Sequence, residues 1–140
     1  MKPATDTNTI FDRKPPKIRP SARVGRPTPA TELRMLCACA ARHCEECSHL
    51  RSELDALTTE DVKAVDYCTH LLDEAETAWQ ICVDRICATS CRSLDGLIEK
   101  ARVIVDARIM REAGAYTEDA EIRIATSIAL DLLAWREKRS

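Results

Sequence analysis

Four of the eight cysteines and two of the three histidines of this chain fall within one short stretch, CACAARHCEECSH at 37–49. Thiols and imidazoles at close spacing are the residue types of zinc sites, copper sites and redox centres. Cysteine is also among the residues most often buried in cores, where it packs as a small apolar side chain. The spacing of the residues discriminates between these interpretations.

Helical geometry restricts which of these residues can bind the same metal ion. If the stretch is helical, Cys37 and Cys39 point about 200° apart around the axis, so they do not chelate one ion. Cys37 and Cys44 share a side but lie about 10.5 Å apart along it. Zinc-bound sulfurs must lie within about 4 Å of each other, since Zn–S bonds are about 2.3 Å long. Cys44 with Cys47, and His43 with Cys47, have suitable spacing, but a structural zinc needs a second pair.

Burial in a helical core explains these cysteines best, and we expect no cofactor. The alternative is a soft-metal site, because thiolates bind Cu(I) and zinc well. In a helical hairpin that turns near residue 58, Cys68 lies at the height of Cys44 and Cys47, whereas the Cys87–Cys91 pair lies roughly 28 Å away. The candidate metal ligands are therefore Cys44, Cys47 and Cys68.

Sequence patterns typical of enzymes are missing. One Glu-x-x-His occurs, at Glu46 and His49, but a di-iron bundle requires a second copy on another helix. The sequence contains neither a glycine-rich phosphate loop nor a nucleophile elbow. We therefore interpret the chain as a non-enzymatic protein.

The composition predicts that long helices position these residues. All six prolines lie at or before Pro29, and only two glycines, Gly96 and Gly114, follow it. Strands joined by tight turns would require more of both residues. Aromatic residues make up only 4% of the chain, so the core must be aliphatic. We predict an all-α fold, an antiparallel bundle of about four long helices over residues 29–140.

Capping residues place the helix boundaries. Thr28 followed by Pro29 predicts the start of the first helix, since proline suits the first helical position. Gly114 is predicted to end the third helix. The starts of the second, third and fourth helices are assigned to Thr58, Ser93 and Thr117.

Each predicted helix carries apolar residues at helical spacing. The stripe of the first helix has unbroken three-four spacing, with small residues that allow close approach, which favours pairing with a second copy of the chain. The predicted stripes are Leu33, Leu36, Ala40, His43, Cys47, Leu50, Leu54 and Leu57; Val62, Val65, Leu72, Trp79, Val83 and Ile86; Leu94, Leu97, Ala101, Ile104, Val105 and Ile109; and Ile122, Ala125, Ile128, Ala129, Leu132 and Trp135.

Residues 1–28 differ from the rest of the chain in charge and composition. They carry seven Lys and Arg against two Asp, a net charge of +5, while the remainder carries −7. Segments rich in proline and charge bury too little apolar surface to fold, so we predict a disordered or extended arm. It is either a linker or a segment that docks on an acidic protein or on nucleic acid. The candidate binding residues are Arg13, Lys14, Lys17, Arg19, Arg23 and Arg26.

The sequence predicts no membrane association. The first residues contain no apolar run typical of a signal peptide, and no stretch of about 18 apolar residues is present. We therefore expect a cytoplasmic protein whose thiols are reduced.

The segment ICATSCRSLDGLIEKARV at 86–103 and the tail SIALDLLAW at 127–135 support a family resemblance. Over about residues 75–136 the chain resembles a group of short all-helical proteins from α-proteobacterial genomes and their prophages. The resemblance implies a helix, a break and two further helices, and it implies no activity. The matching residues in the first segment are Thr89, Leu94, Gly96, Leu97, Lys100 and Ala101.

These observations predict a helical interaction or structural protein, related to phages or mobile elements, whose basic arm docks on a partner. The partner is a second copy or another protein. One alternative is a nucleic-acid-binding accessory protein that uses the arm. Another is a bundle whose thiols bind Cu(I) or zinc.

Overall fold

The computed structural model describes residues 28–117 and 119–139, which form four α-helices. No strand occurs in these ranges, so the predicted all-α fold class is confirmed. All of the predicted basic arm except Thr28 lies outside the described residues. The helices are α1 (Pro29–Ala56), α2 (Val62–Ala88), α3 (Leu94–Glu112) and α4 (Ala120–Arg139).

Two of the predicted helix starts are confirmed. The Thr28 hydroxyl accepts a hydrogen bond from the Thr31 N–H at 3.1 Å, and Pro29 is the first residue of α1. The Ser93 hydroxyl accepts from the Gly96 N–H at 3.1 Å before α3. Each hydroxyl satisfies a backbone donor that has no partner within its helix.

The start of α2 differs from the prediction. The capping residue is Asp61, whose side-chain oxygen accepts from the Ala64 N–H at 3.3 Å. Thr58 lies in the preceding turn, where its carbonyl accepts from the Asp61 N–H at 3.1 Å. The assignment of the cap to Thr58 was wrong, because a cap must directly precede the first helical turn and here another turn intervenes.

Gly114 ends α3 as predicted. Its φ angle of 100° lies in the left-handed region that glycine adopts without steric cost. The Ala115 N–H donates to the Met110 carbonyl and the Gly114 N–H to the Arg111 carbonyl, both at 3.0 Å. These two bonds form a Schellman motif, which satisfies carbonyls at the end of the helix.

Helix α4 begins at Ala120 and not at Thr117. The Thr117 carbonyl accepts from the Ala120 N–H at 2.8 Å, which closes a turn ahead of the helix. Asp119 has a φ of 58°, outside the right-handed helical region. The assignment of the helix start to Thr117 was therefore wrong, since a left-handed residue separates it from the helix.

The four helices pack as two layers. Helix α1 packs on α2 and α3, and α4 packs on α3 and α2, so α1–α2 forms one layer and α3–α4 the other. Arg85 near the end of α2 pairs with Glu32 at the start of α1, at 3.4 Å. Arg51 near the end of α1 pairs with Glu76 in the middle of α2. The start of α1 thus contacts the end of α2, and the end of α1 contacts an earlier part of α2. The antiparallel order of the whole bundle stays a prediction.

The α1–α2 layer uses its predicted stripes as core. Trp79 and Val83 are fully buried. The one exposed member of the two stripes is Val62 at the start of α2, at 61%, and His43, Leu54, Leu57 and Val65 are half-buried. Because the α1 stripe packs within the chain, it is not available to pair with a second copy, contrary to the prediction. The buried stripe residues are Leu33, Leu36, Ala40, Cys47, Leu50, Leu72, Trp79, Val83 and Ile86.

The predicted apolar faces of α3 and α4 were wrong in large part. Leu94, Val105 and Ile109 of α3 are exposed, as are Ile122 and Leu132 of α4. Each helix carries apolar residues on two opposite faces, so apolar spacing alone does not indicate which face is buried. The buried residues are Leu97, Lys100, Val103, Ala107 and Met110 on α3, and Ala120, Ile124, Ser127 and Asp131 on α4.

Candidate interaction surface

The cysteines are free thiols, and most lie in the core as predicted. Six of the eight are buried, and Cys39 and Cys87 are half-buried. Burial raises the pKa of Cys37 to about 12, that of Cys44 to about 11 and that of Cys47 to about 12. Because the thiolate is the nucleophile and the metal ligand, these neutral thiols are poorly suited to either role.

The structure does not bring Cys44, Cys47 and Cys68 together as a ligand set. The Cys44 thiol donates to the Asp106 carbonyl at 3.8 Å, whereas the Cys68 thiol donates to the Leu50 carbonyl at 3.4 Å. Within 28–117 and 119–139, no group of three or more Cys, His, Asp or Glu residues is arranged to hold a metal ion.

The predicted polyanion-binding residues lie outside the described residues, so their role stays a prediction. They are Arg13, Lys14, Lys17, Arg19, Arg23 and Arg26.

A buried polar network joins α3 to α4. Lys100 has no exposed surface, and its Nζ donates to the Asp131 carboxylate at 2.6 Å and to the Ser127 hydroxyl at 2.8 Å. The Ser127 hydroxyl donates in turn to the Cys87 carbonyl near the end of α2, at 3.2 Å. A buried ammonium is tolerated only when it is paired and hydrogen-bonded, and both conditions are met here.

No pattern in the sequence predicted this network. Lys100 falls between Leu97 and Val103 on the buried face, a position where a lone lysine is normally solvated. Lys100 matched the family resemblance, and Ser127 and Asp131 lie in its tail segment, but nothing in that pattern placed them in contact. Since Lys100 is enclosed, it presents no amine to a substrate in this conformation.

The α3–α4 layer presents an apolar surface on its outer side, which we call the outer face. Its seven large side chains are between 44% and 66% exposed, and its three alanines are also exposed. The residues of the outer face are Leu94, Ile98, Ala101, Val105 and Ile109 on α3, and Ile122, Ala125, Ala129, Leu132 and Leu133 on α4.

Helical geometry directs most of the outer face away from α1 and α2, while Ile98 at its edge also lines the hollow shared with Ala30 and Arg34 of α1. On α3, Leu94, Ile98, Ala101 and Val105 follow four-three-four spacing, and this stripe lies roughly 180° around the axis from the buried one. On α4, the outer stripe is likewise opposite the side that carries Ile124. Because α3 and α4 pack side by side, the two stripes lie on neighbouring helices of the same layer.

A cleft lies where the N-termini of α1 and α3 meet. It has a volume of about 400 Å³ and is lined by Leu33, Cys91 and Gly96, among others, with no carboxylate or imidazole. An adjoining hollow of about 260 Å³ includes Asp95 and Glu99 together with arginines. The larger cleft lacks the acid–base pair that a hydrolytic or proton-transfer site requires, so the outer face is the stronger candidate.

No known protein family, curated protein or solved structure matches this chain. The resemblance to short α-proteobacterial and prophage proteins therefore stays a prediction. Among the described helices, none combines the length and the apolar character needed to cross a membrane.

Proposed function

We propose that this protein is a non-enzymatic interaction protein that binds a protein partner through the outer face of the α3–α4 layer. The observation that carries the proposal is the inverted distribution of residue types in that layer. A lysine, a serine and an aspartate are buried beside apolar residues such as Leu97 and Ile124, while eight Leu, Ile and Val side chains of the layer are exposed, seven of them on the outer face. Contiguous exposed apolar surface of this kind marks binding sites in soluble proteins.

The size of the outer face supports a specific interface. A half-exposed Leu, Ile or Val leaves on the order of 100 Å² of apolar surface in water, so seven leave roughly 700 Å². The largest apolar patch of a typical monomer is about 300–600 Å². A standard protein–protein interface buries about 800 Å² on each partner. The outer face is therefore large for a surface that stays in water and close to the size of an interface.

The energetics of the buried pair support the same conclusion. A buried ion pair is often no more stabilising than apolar residues of similar volume. If stability of the single chain were the only requirement, leucines inside and the Lys100–Asp131 pair outside would serve equally well or better. Apolar residues retained on the outside are explained by a partner that covers them.

Site-specific photo-crosslinking tests the proposal. A photoreactive residue placed at Val105 in the centre of the outer face is expected to form a covalent adduct with a protein partner upon irradiation in a lysate of the source cells. The matched control places the same residue at Tyr67 of α2, which is 66% exposed but lies in the other layer. No adduct from position 105, or equal adducts from both positions, would contradict the proposal.

The charge separation along the chain favours a second candidate function, binding of nucleic acid through residues 1–28. The +5 segment supplies roughly four to five phosphate contacts. Affinity for a DNA oligonucleotide should then fall roughly 10²–10³-fold between 50 and 200 mM salt. Fluorescence anisotropy measures this fall, and a chain lacking residues 1–27 should lose the binding. Unchanged binding by the truncated chain would exclude this role for the arm.

A further inference from the structure

We infer that the outer face pairs with itself, so that the partner is a second copy of this chain in a two-fold symmetric dimer. This inference rests on the proposed function for the use of the surface and adds the identity of the partner. The surface that pairs is then the outer face of the α3–α4 layer and not the α1 stripe, which is buried within the chain.

The distribution of side-chain sizes suits pairing of the face with itself. In a two-fold dimer the middle of the face meets the middle of its copy. Ala101, Ala125 and Ala129 lie towards this middle, and small residues there let two helix layers approach closely. Because Lys100 of α3 pairs with Asp131 of α4 and Arg111 pairs with Glu121, the larger residues Leu94 and Leu133 lie towards one end and Ile122 towards the other, where they can pack around the central contact.

The charges around the outer face are compatible with a second copy. Arg108 and Glu112 are exposed on α3 and pair with each other at 3.2 Å. Asp95 and Arg102 lie along the other edge of α3, and both are exposed. Charges of both signs border the face, so two copies do not meet with like charges only.

The same features argue against a membrane as the partner. Helices that lie on membranes carry an excess of Lys and Arg beside the apolar face and insert aromatic residues. The outer face contains no aromatic residue, and the charges beside it are mixed. A face of roughly 700 Å² that is free of charge at its centre instead matches one side of a standard protein–protein interface.

The oligomeric state of the full chain tests the inference. At tens of micromolar, under reducing conditions that keep the eight cysteines from cross-linking, sedimentation equilibrium should give twice the chain mass of 15.7 kDa. The variant Val105→Glu should raise the dimer dissociation constant at least about 100-fold, because each dimer would bury two like charges in an apolar interface. Leu132→Glu on α4 makes the same test independently.

The matched control is Tyr67→Glu, at an exposed site on α2 outside the outer face, which should leave the dissociation constant within about twofold. Far-ultraviolet circular dichroism confirms that each variant is folded; if one is not, the other outer-face variant provides the result. A monomeric wild-type chain, or a dimer that survives both Val105→Glu and Leu132→Glu, would overturn the inference. A monomer that still forms the Val105 adduct with a different protein would overturn the dimer and leave the proposed function intact.

Discussion

The two layers of this bundle bury different kinds of side chain. In the α1–α2 layer the buried residues are apolar or thiols, with Trp79 at the centre. In the α3–α4 layer Lys100 and Asp131 are buried as a pair. Four large hydrophobic residues are exposed on α1 and α2, against eight on the shorter helices α3 and α4. Most large apolar side chains of the first layer are therefore buried in the core, whereas many of those in the second layer are exposed.

This difference shows how one chain can combine an apolar core with an exposed apolar surface, which the proposed function assigns to binding. The α1–α2 layer supplies the apolar contacts that stabilise the fold. The Lys100–Asp131 pair holds α3 and α4 in one register, because a shift of either helix would leave a buried charge unpaired. Under the proposed function, a layer held in one register would present the outer face at a lower entropic cost of binding.

Removal of the largest buried side chain should have the largest effect. Trp79→Ala leaves a cavity at the centre of the core and is expected to lower the free energy of unfolding by about 3–5 kcal/mol. The control Ile81→Ala changes a neighbouring residue that is 54% exposed, and its effect should stay within about 0.5 kcal/mol. Urea unfolding at one protein concentration measures both. Equal losses would show that the α1–α2 layer is not the stabilising one.

The buried pair can be broken and then replaced. Lys100→Met leaves the Asp131 carboxylate buried without its cation and should cost about 3–5 kcal/mol. The double variant Lys100→Met with Asp131→Leu removes both charges, and its stability should return to within about 1 kcal/mol of the wild type or exceed it. Urea unfolding of the four members of this double-mutant cycle gives the coupling. Additive losses would contradict a paired network.

Gly96 lies at the seam between the layers. A Cβ atom at this position would lie 2.2 Å from the Cys91 sulfur and 3.3 Å from a Leu33 methyl carbon. Gly96→Ala is therefore expected to cost about 1–3 kcal/mol, although alanine is normally preferred over glycine in a helix. Combination with Cys91→Ala removes the closest atom and should recover part of the loss. Thermal unfolding of the single and double variants compares them.

Alkaline pH should destabilise the α1–α2 layer through its thiols. Burial raises the pKa of Cys47 from 9.0 to about 12. Above pH 9 the thiol ionises in the unfolded chain but stays protonated in the folded one. Its contribution to stability is thus fully present below pH 9 and is lost towards pH 12, by at most about 1.4 kcal/mol per pH unit.

The variant Cys47→Ala isolates this contribution. Its free energy of unfolding should decline less steeply than that of the wild type between pH 9 and 11. Ser48→Ala, at an exposed neighbouring position, should leave the slope unchanged. Identical slopes for Cys47→Ala and wild type would show that the thiol titrates normally.

Truncation on the outer face should have the smallest effect on the stability of the single chain. In the Val105→Glu background, where association does not contribute, Leu132→Ala should change the free energy of unfolding by no more than about 0.5 kcal/mol. Ile124→Ala, on the buried face of the same helix, should cost about 2–5 kcal/mol. A large loss from Leu132→Ala would mean that its side chain packs within the chain.

Local signals in the sequence were enough to predict most of the helix boundaries. Thr28, Ser93 and Gly114 mark helix ends in the sequence and in the structure, because capping depends on hydrogen bonds between residues close in the chain. The prediction that Thr58 caps α2 was wrong, because a turn from Thr58 leads to Asp61, which is the capping residue. The buried stripes of α1 and α2 were also predictable, since most of their large apolar residues lie on one face.

Only the tertiary structure decided which faces of α3 and α4 are buried. Both helices carry apolar residues on two opposite faces. Their spacing therefore predicts amphipathic helices but does not indicate which face is buried. The buried side includes the contact of Lys100 with Asp131, 31 positions later in the chain, and no local pattern encodes that contact. The sequence by itself determined four helices and an aliphatic, thiol-rich core. Lys100 and Asp131 are buried together, since a buried charge needs a partner, and the leucines and isoleucines on the opposite sides of α3 and α4 are exposed.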